Sequence, residues 1–254
     1  MSLPRLPEGL PENYVVHPQV LKLINTKQYV QRTPEWYERR KTLMTASNVS
    51  TALGIPPYAS FRGDVRDDGL RKLVDGSFRG NVATRHGVRH EDMVRDHLCD
   101  VMGEICLEFG LIVHESVQWL GASPDGICLS GRMVEIKCPY KRRIIPGHVP
   151  HHYMPQIQAQ LFVCGLEECY FCEWQPAHLN PDGSGEILNI VVVQKDPLWF
   201  EKHRDALYGF WKDLMRLRES YVPAPPPKCM IVDNLYGNEQ DSAEMMPSAF
   251  LPDV

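Results

Sequence analysis

The sequence has no long apolar run. Nothing approaches the roughly 20 apolar residues that a membrane helix needs, so no membrane association is expected. Residues 1–10 are polar and Pro-rich and lack the apolar segment of a secretory signal. The expectation is an intracellular, non-secreted protein. Basic charge is not in excess either: 27 Lys and Arg face 32 Asp and Glu, a net charge of −5. A uniformly basic coat is excluded, and any contact with nucleic acid has to come from a local basic groove. There are no internal repeats.

Eight cysteines are present. Inside a cell they are expected to be reduced thiols. The grouping Cys164, Cys169, Cys172 invites a metal or iron–sulfur reading. A strand through "CYFCEW" would send Cys169 and Cys172 to opposite faces, and no fourth ligand stands nearby. Buried thiols are the better account.

What is there suits one α/β domain with extensions: 254 residues, 43% hydrophobic and 23% charged. Residues 1–33 read as an N-terminal extension with a short helical stretch from Val20 to Asn25. Residues 34–221 read as the folded domain, and 222–254 as a Pro-rich linker and tail. "TPEWYERRKTLMTASNVSTALG" predicts two helical pieces, with Thr33 as cap, Pro34 at the first helical position and Gly54 as stop. Another helix is predicted from Asp64 to Val74. In "NVATRHGVRHEDMVRDHLCDVMG" the residues Val88, Met93, Val94, Leu98, Val101 and Met102 recur at helical spacing before Gly103. "EICLEFGLIVHE" reads as strand material, and "VQWLGASPDGICLSGRMVEIKCPY" as three strands joined by two turns. The basic loop "KRRIIPGHVPHH" precedes a helix ending at Gly165. Two strands and the amphipathic helix "PLWFEKHRDALYGFWKDLMRLRESY" follow. The prediction is a central mixed β-sheet flanked by helices.

The chemistry concentrates in "GASPDGICLSGRMVEIKCPY". Asp125 follows a proline in a turn beside a strand. Glu135 and Lys137, one residue apart on a strand, point the same way. Two carboxylates converging at the end of a hairpin make a hard-oxygen site suited to Mg²⁺ or Mn²⁺. The carbonyl of Ile136 is available to the same metal, and the Ile136 side chain is expected to face inward. A lysine on the shared face can orient water or steady phosphoryl oxygens. E-x-K alone is an ordinary surface pair; preceded by S-P-D-G it is a narrower pattern.

"SPDG" followed by "EIKCP" resembles the core of the PD-(D/E)xK nucleases, with their restriction-endonuclease-like α/β fold. In particular it is similar to the exonuclease of phage lambda and the YqaJ-like viral recombinases. Further parts of that family's pattern stand in order: "WYERRKTLMTAS", "HGVRHE" and "YMPQIQAQ". The resemblance spans Trp36 to Trp174. It implies that Asp125, Glu135 and Glu91 are metal ligands for two Mg²⁺ ions (or Mn²⁺), with Lys137 as the catalytic lysine and Gly87 leaving room one turn before Glu91. Gln156 would hold the attacking water or the phosphate, with Tyr153 one turn away on the same face; Gln160 ranks below it. Arg40 aligns with the arginine that grips a 5′-terminal phosphate, its spacing from Trp36 favouring it over Arg39. Ser47, at the start of the next helix, and Ser123 would complete that pocket. Lys141, Arg142 and Arg143 would contact DNA phosphates. Glu115 is a reachable further acid that is not assigned a role, and His151 and His152 are left out of the site.

The resemblance further implies a 5′→3′ exodeoxyribonuclease that digests linear duplex DNA to 3′ overhangs, with a single-strand annealing protein as partner. A homo-oligomer, such as the trimer of the lambda enzyme, is implied too. The alternatives are an endonuclease, a RecB-like iron–sulfur nuclease, or a non-catalytic module that binds DNA ends.

Overall fold

The computed structural model describes residues 3–58, 60–76, 81–180, 183 and 185–222. The expected linker and tail over 222–254 fall outside the described residues, apart from Val222. Seven α-helices and nine β-strands are present among the described residues. The predicted helices form where their caps dictate. Thr33 accepts a hydrogen bond from the Trp36 amide and Pro34 opens α2 (Pro34–Lys41). Asn81 caps the Thr84 amide to start α5 (Val82–Met102), and Gly103, with φ +64°, ends it in the left-handed conformation that glycine adopts freely. The stretch near Val20 is α1 (Pro18–Ile24). Asp64 caps α4 (Val65–Asp75). The closing helices are α6 (Met154–Cys164) and α7 (Trp199–Ser220).

The strands form two mixed sheets. One runs β1 (Gln28–Tyr29), β4 (Leu111–Val113), β5 (Leu120–Ala122), β2 (Met44–Thr45). The other runs β3 (Cys106–Leu107), β6 (Gly126–Cys128), β7 (Arg132–Lys137), β8 (Glu168–Gln175), β9 (Ile187–Gln194). β2 pairs with β5, and β7 with β8, in parallel; the other pairs are antiparallel. The parallel β7–β8 pair is joined through α6, as parallel strands need a crossover.

Two details differ from the reading of the sequence. Met44–Thr45, placed there within helical sequence, is strand β2, and only the four-residue α3 (Val49–Ala52) follows it. The stretch 104–115 splits between the sheets, β3 in one and β4 in the other. Gly110 sits at the split. Its amide donates to Gln28 Oε1 (2.9 Å), and a Cβ there would lie 2.3 Å from the Tyr29 carbonyl oxygen. Gly110→Ala is therefore expected to cost about 2 kcal/mol through backbone displacement, read as a lowered urea midpoint.

β7 is buried on both faces, and its alternation positions the site. Met133 joins the core beneath α1, α6 and α7, whereas Val134 and Ile136 join a second core with Val94 and Leu98 of α5. Glu135 and Lys137 thus share the α6 face, 1% and 5% exposed, and Ile136 faces inward as expected. β8 alternates likewise: Cys169 packs in the first core with Cys164, and Cys172 in the second. These three thiols do not converge. Burial raises the pKa of each, which leaves them as inert packing groups.

Candidate active site

Four segments converge at the end of β7. The β5–β6 turn brings Asp125, whose Oδ2 accepts the Ile136 amide at 2.6 Å. β7 brings Glu135 and Lys137, with Lys137 Nζ 2.7 Å from Glu135 Oε1. α6 contributes Gln156 and Gln160, which donate to the two oxygens of Glu135, Gln160 at 2.7 Å. Gln160, ranked second from sequence, therefore holds the acid as directly as Gln156 does. α5 brings Glu91, with Gly87 on the same wall. Lys137 Nζ also lies 5.2 Å from the Tyr153 ring centroid.

All of these except Gln160 and Tyr153 line one cavity of about 90 Å³, roughly three liquid water volumes. Its lining includes Glu91, Asp125, Glu135, Ile136, Lys137 and Gln156. Arg40, Ser47, Ser123 and Trp36 line it as well. Arg40 donates to Ser47 Oγ (3.2 Å) and its guanidinium stacks 4.3 Å over the Trp36 ring. Trp36 Nε1 in turn donates to Ser123 Oγ at 3.1 Å. Burial lowers the Arg40 pKa to about 10, so it stays a cation at neutral pH. Arg39 lies outside the cavity lining and donates to Thr42.

The electrostatics are those of crowded carboxylates. Burial, then the charges of Glu135 and Glu91, push the Asp125 carboxyl well above its ordinary value, against the pull of Lys137 and the Ile136 amide. Burial raises Glu91 too, opposed chiefly by Arg32. Burial disfavours the Lys137 ammonium, but Glu135 and Asp125 outweigh it and hold its pKa above the usual lysine value. Among the described residues, no group of three or more His, Cys, Asp and Glu stands in an arrangement that could hold a metal ion as it is. Each acid instead rests on a protein donor. The donor set still fits a hard divalent cation: three carboxylates line one cavity, and the charges of Glu135 and Glu91 bear on Asp125.

Other expected residues lie apart. Ser47 sits in a three-residue 3-10 turn (Ala46–Asn48) before α3, too short to present a helix dipole, so its hydroxyl is what it offers. Lys141 and Arg143 are exposed and outside the cavity lining. Arg142 is turned onto Glu173, which is fully buried. Glu115 is exposed and pairs with Lys22 at 2.6 Å. His152 is held to about 4 by burial and nearby cations, Arg142 first, and is neutral at pH 7.

The sequence reading missed Arg32 and Gln31, which also line the cavity. Arg32 Nη2 lies 2.9 Å from Glu91 Oε2. The signal was their place just ahead of Thr33 and Pro34, but nothing local shows that this turn meets α5.

Comparison with known proteins bears on the family and the fold. A protein of Acanthamoeba polyphaga mimivirus described as uncharacterized is 31% identical over 163 residues, covering 58% of this chain. This chain spans only 29% of that relative's length. The crystal structure of the alkaline exonuclease LHK-Exo from Laribacter hongkongensis superposes with a TM-score of 0.59 at 26% identity, covering 74% of this chain and 95% of that one. A phage-related exonuclease from Haemophilus somnus 129PT shares the fold, with a TM-score of 0.51 at 13% identity over 70% of this chain and 96% of that one. The YqaJ-like viral recombinase domain matches residues 35–167, just over half of the sequence and the part that carries every residue of the cavity from Trp36 to Gln156, and the chain therefore belongs to that family.

Proposed function

We propose that the protein is a metal-dependent 5′→3′ exodeoxyribonuclease, hydrolysing linear duplex DNA to leave 3′ single-stranded overhangs for recombination by strand annealing. One observation carries this reading: a single cavity is lined by three carboxylates and a lysine together with a half-buried arginine and two serines. The exonuclease similarity supports it. LHK-Exo has also been crystallised with dAMP, a nucleoside monophosphate of the kind that stepwise digestion releases.

Glu91, Asp125, Glu135 and the Ile136 carbonyl would hold the divalent ions, two Mg²⁺ or Mn²⁺. When bound, such ions supply an activated water and neutralise charge on the phosphoryl group. Lys137 presents its ammonium to the phosphoryl oxygens from a position fixed by Glu135 and the Tyr153 ring. Gln160 and Gln156 lock the rotamer of Glu135, and Gln156, at the cavity wall, also faces the phosphate. Arg40, Ser47 and Ser123 receive the 5′-terminal phosphate. Holding that end sets polarity, because the bond presented to the acids is then one nucleotide inward. Water oxygen joins phosphorus, the P–O3′ bond breaks, and the 3′ oxygen leaves with a proton. Lys141 and Arg143 meet the backbone further along the duplex. A single-strand annealing protein would take the overhang, and a homo-oligomer such as a trimer would keep the enzyme on its track.

An endonuclease would share the fold but not the end dependence, and a non-catalytic end-binding module would cleave neither substrate. Linear duplexes carrying 5′-phosphate or 5′-hydroxyl, and a covalently closed circle, should be incubated with the protein in Mg²⁺. The expected result is about tenfold faster digestion of the phosphorylated ends, one charge-assisted contact's worth, and an intact circle. Cleavage of the circle at a comparable rate would replace this reading with an endonuclease.

A further inference from the structure

We propose that Arg32 is a specificity-determining residue of this site: tethered to Glu91, its guanidinium also grips the 5′-terminal phosphate beside Arg40. The inference rests on the end-recognising nuclease reading above and adds a residue that reading does not contain.

It begins with a backbone outlier. Arg32 has φ +64° and is the one non-glycine residue with positive φ among the described residues. A side chain is disfavoured there, and such strain persists only where the surroundings fix it. Here they do. On one side Thr33 donates to the Val30 carbonyl (2.8 Å) and caps the Trp36 amide (3.3 Å). On the other, Gln31 Nε2 donates to the carbonyls of Phe109 (2.8 Å) and Pro124 (3.3 Å), the latter adjoining Asp125. Both neighbours are pinned, and the turn between β1 and α2 delivers the Arg32 side chain to the cavity that Arg40, Ser47 and Ser123 also line.

Glu91 occupies only part of this guanidinium. Nη2 donates to Glu91 Oε2, and no other hydrogen bond of the Arg32 side chain is made among the described residues. Its remaining donors form the planar fork that matches phosphate oxygens. Charge points the same way. A terminal phosphate monoester carries about −1.5 to −2 at neutral pH, and Arg40 supplies one positive charge. A second guanidinium matches the extra charge of the monoester, which a 5′-hydroxyl end lacks.

The test uses the full chain in EDTA, so that binding is read without cleavage. Fluorescence anisotropy would give Kd for blunt duplexes with 5′-phosphate or 5′-hydroxyl, for the wild type, Arg32→Gln, Arg32→Lys and Arg32→Gly. Glycine accepts the left-handed backbone without strain and guards against a folding artefact. The preference for phosphate should fall about tenfold in the Gln and Gly variants, for loss of a charge-assisted contact, and partly persist in Lys, which keeps charge without the fork. A counter-ion serving Glu91 alone would alter melting temperature but not this ratio. Wild-type preference that survives in both Gln and Gly overturns the assignment of Arg32 alone. Equal affinity of the wild type for both ends overturns the end-recognition reading as well.

Discussion

Glu135→Gln is expected to slow DNA cleavage by roughly 10³-fold or more, while binding to duplex ends in EDTA persists. Glu135 is 1% exposed and is the hub of the site. One oxygen takes Lys137 and Gln156, and the other takes Gln160. Glutamine keeps the shape and removes the charge that would hold a cation. Lys137 keeps the attraction of Asp125, which already helps to hold its charge, so the fold should survive. Alanine is the poorer choice: it also opens a void beside a buried ammonium, at a cost of about 3–5 kcal/mol, and confuses unfolding with lost chemistry. Single-turnover digestion of a labelled duplex, with anisotropy and a thermal melt on the same sample, separates the two effects. Chelating metal from the wild type with EDTA should give the same loss. A Gln variant that cleaves within tenfold of the wild type would remove Glu135 from the mechanism.

Arg142→Ala should be the most damaging surface substitution for stability, at about 3 kcal/mol, or a melting temperature lower by about 10 °C for a domain of this size. Glu173 has no exposure, and its charge is met by Arg142 and, at 3.3 Å, by Asn189 Nδ2. Glu173 is also the β8 partner of Lys137 in the parallel ladder. With Arg142 gone, the stranded carboxylate would compete with Glu135 for Lys137, so cleavage should fall as well. The double variant with Glu173→Gln removes both charges and should recover most of the stability. If Arg142 served as a phosphate contact only, the single variant would weaken DNA binding, leave the melt unchanged, and gain nothing from the second substitution.

Arg142 shows why the basic loop misled as a sequence. "KRR" states charge but not direction. Lys141 and Arg143 are exposed, while the residue between them is drawn to a buried acid 31 positions away. Arg32 is the converse case. Its guanidinium reaches Glu91 across 59 positions, a pairing no local pattern encodes. Ser47 was legible as a candidate, but not the shortness of the helix after it. Gln160 was legible as a face-mate of Gln156, yet its bond to Glu135 depends on how deeply β7 lies beneath α6.

The longer helices, the three-stranded run around Asp125 and the pairing of Glu135 with Lys137 on one strand face were determined by the sequence alone. Caps, periodicity and two-residue alternation act over a few neighbours, and their physics is local. Tertiary structure decided the division of the strands into two sheets, the route that brings Arg32 to Glu91, and the burial of Glu173 under Arg142. Those outcomes depend on which surfaces meet and on how much water leaves between them. A charge acquires its partner and its energy only once that burial is fixed.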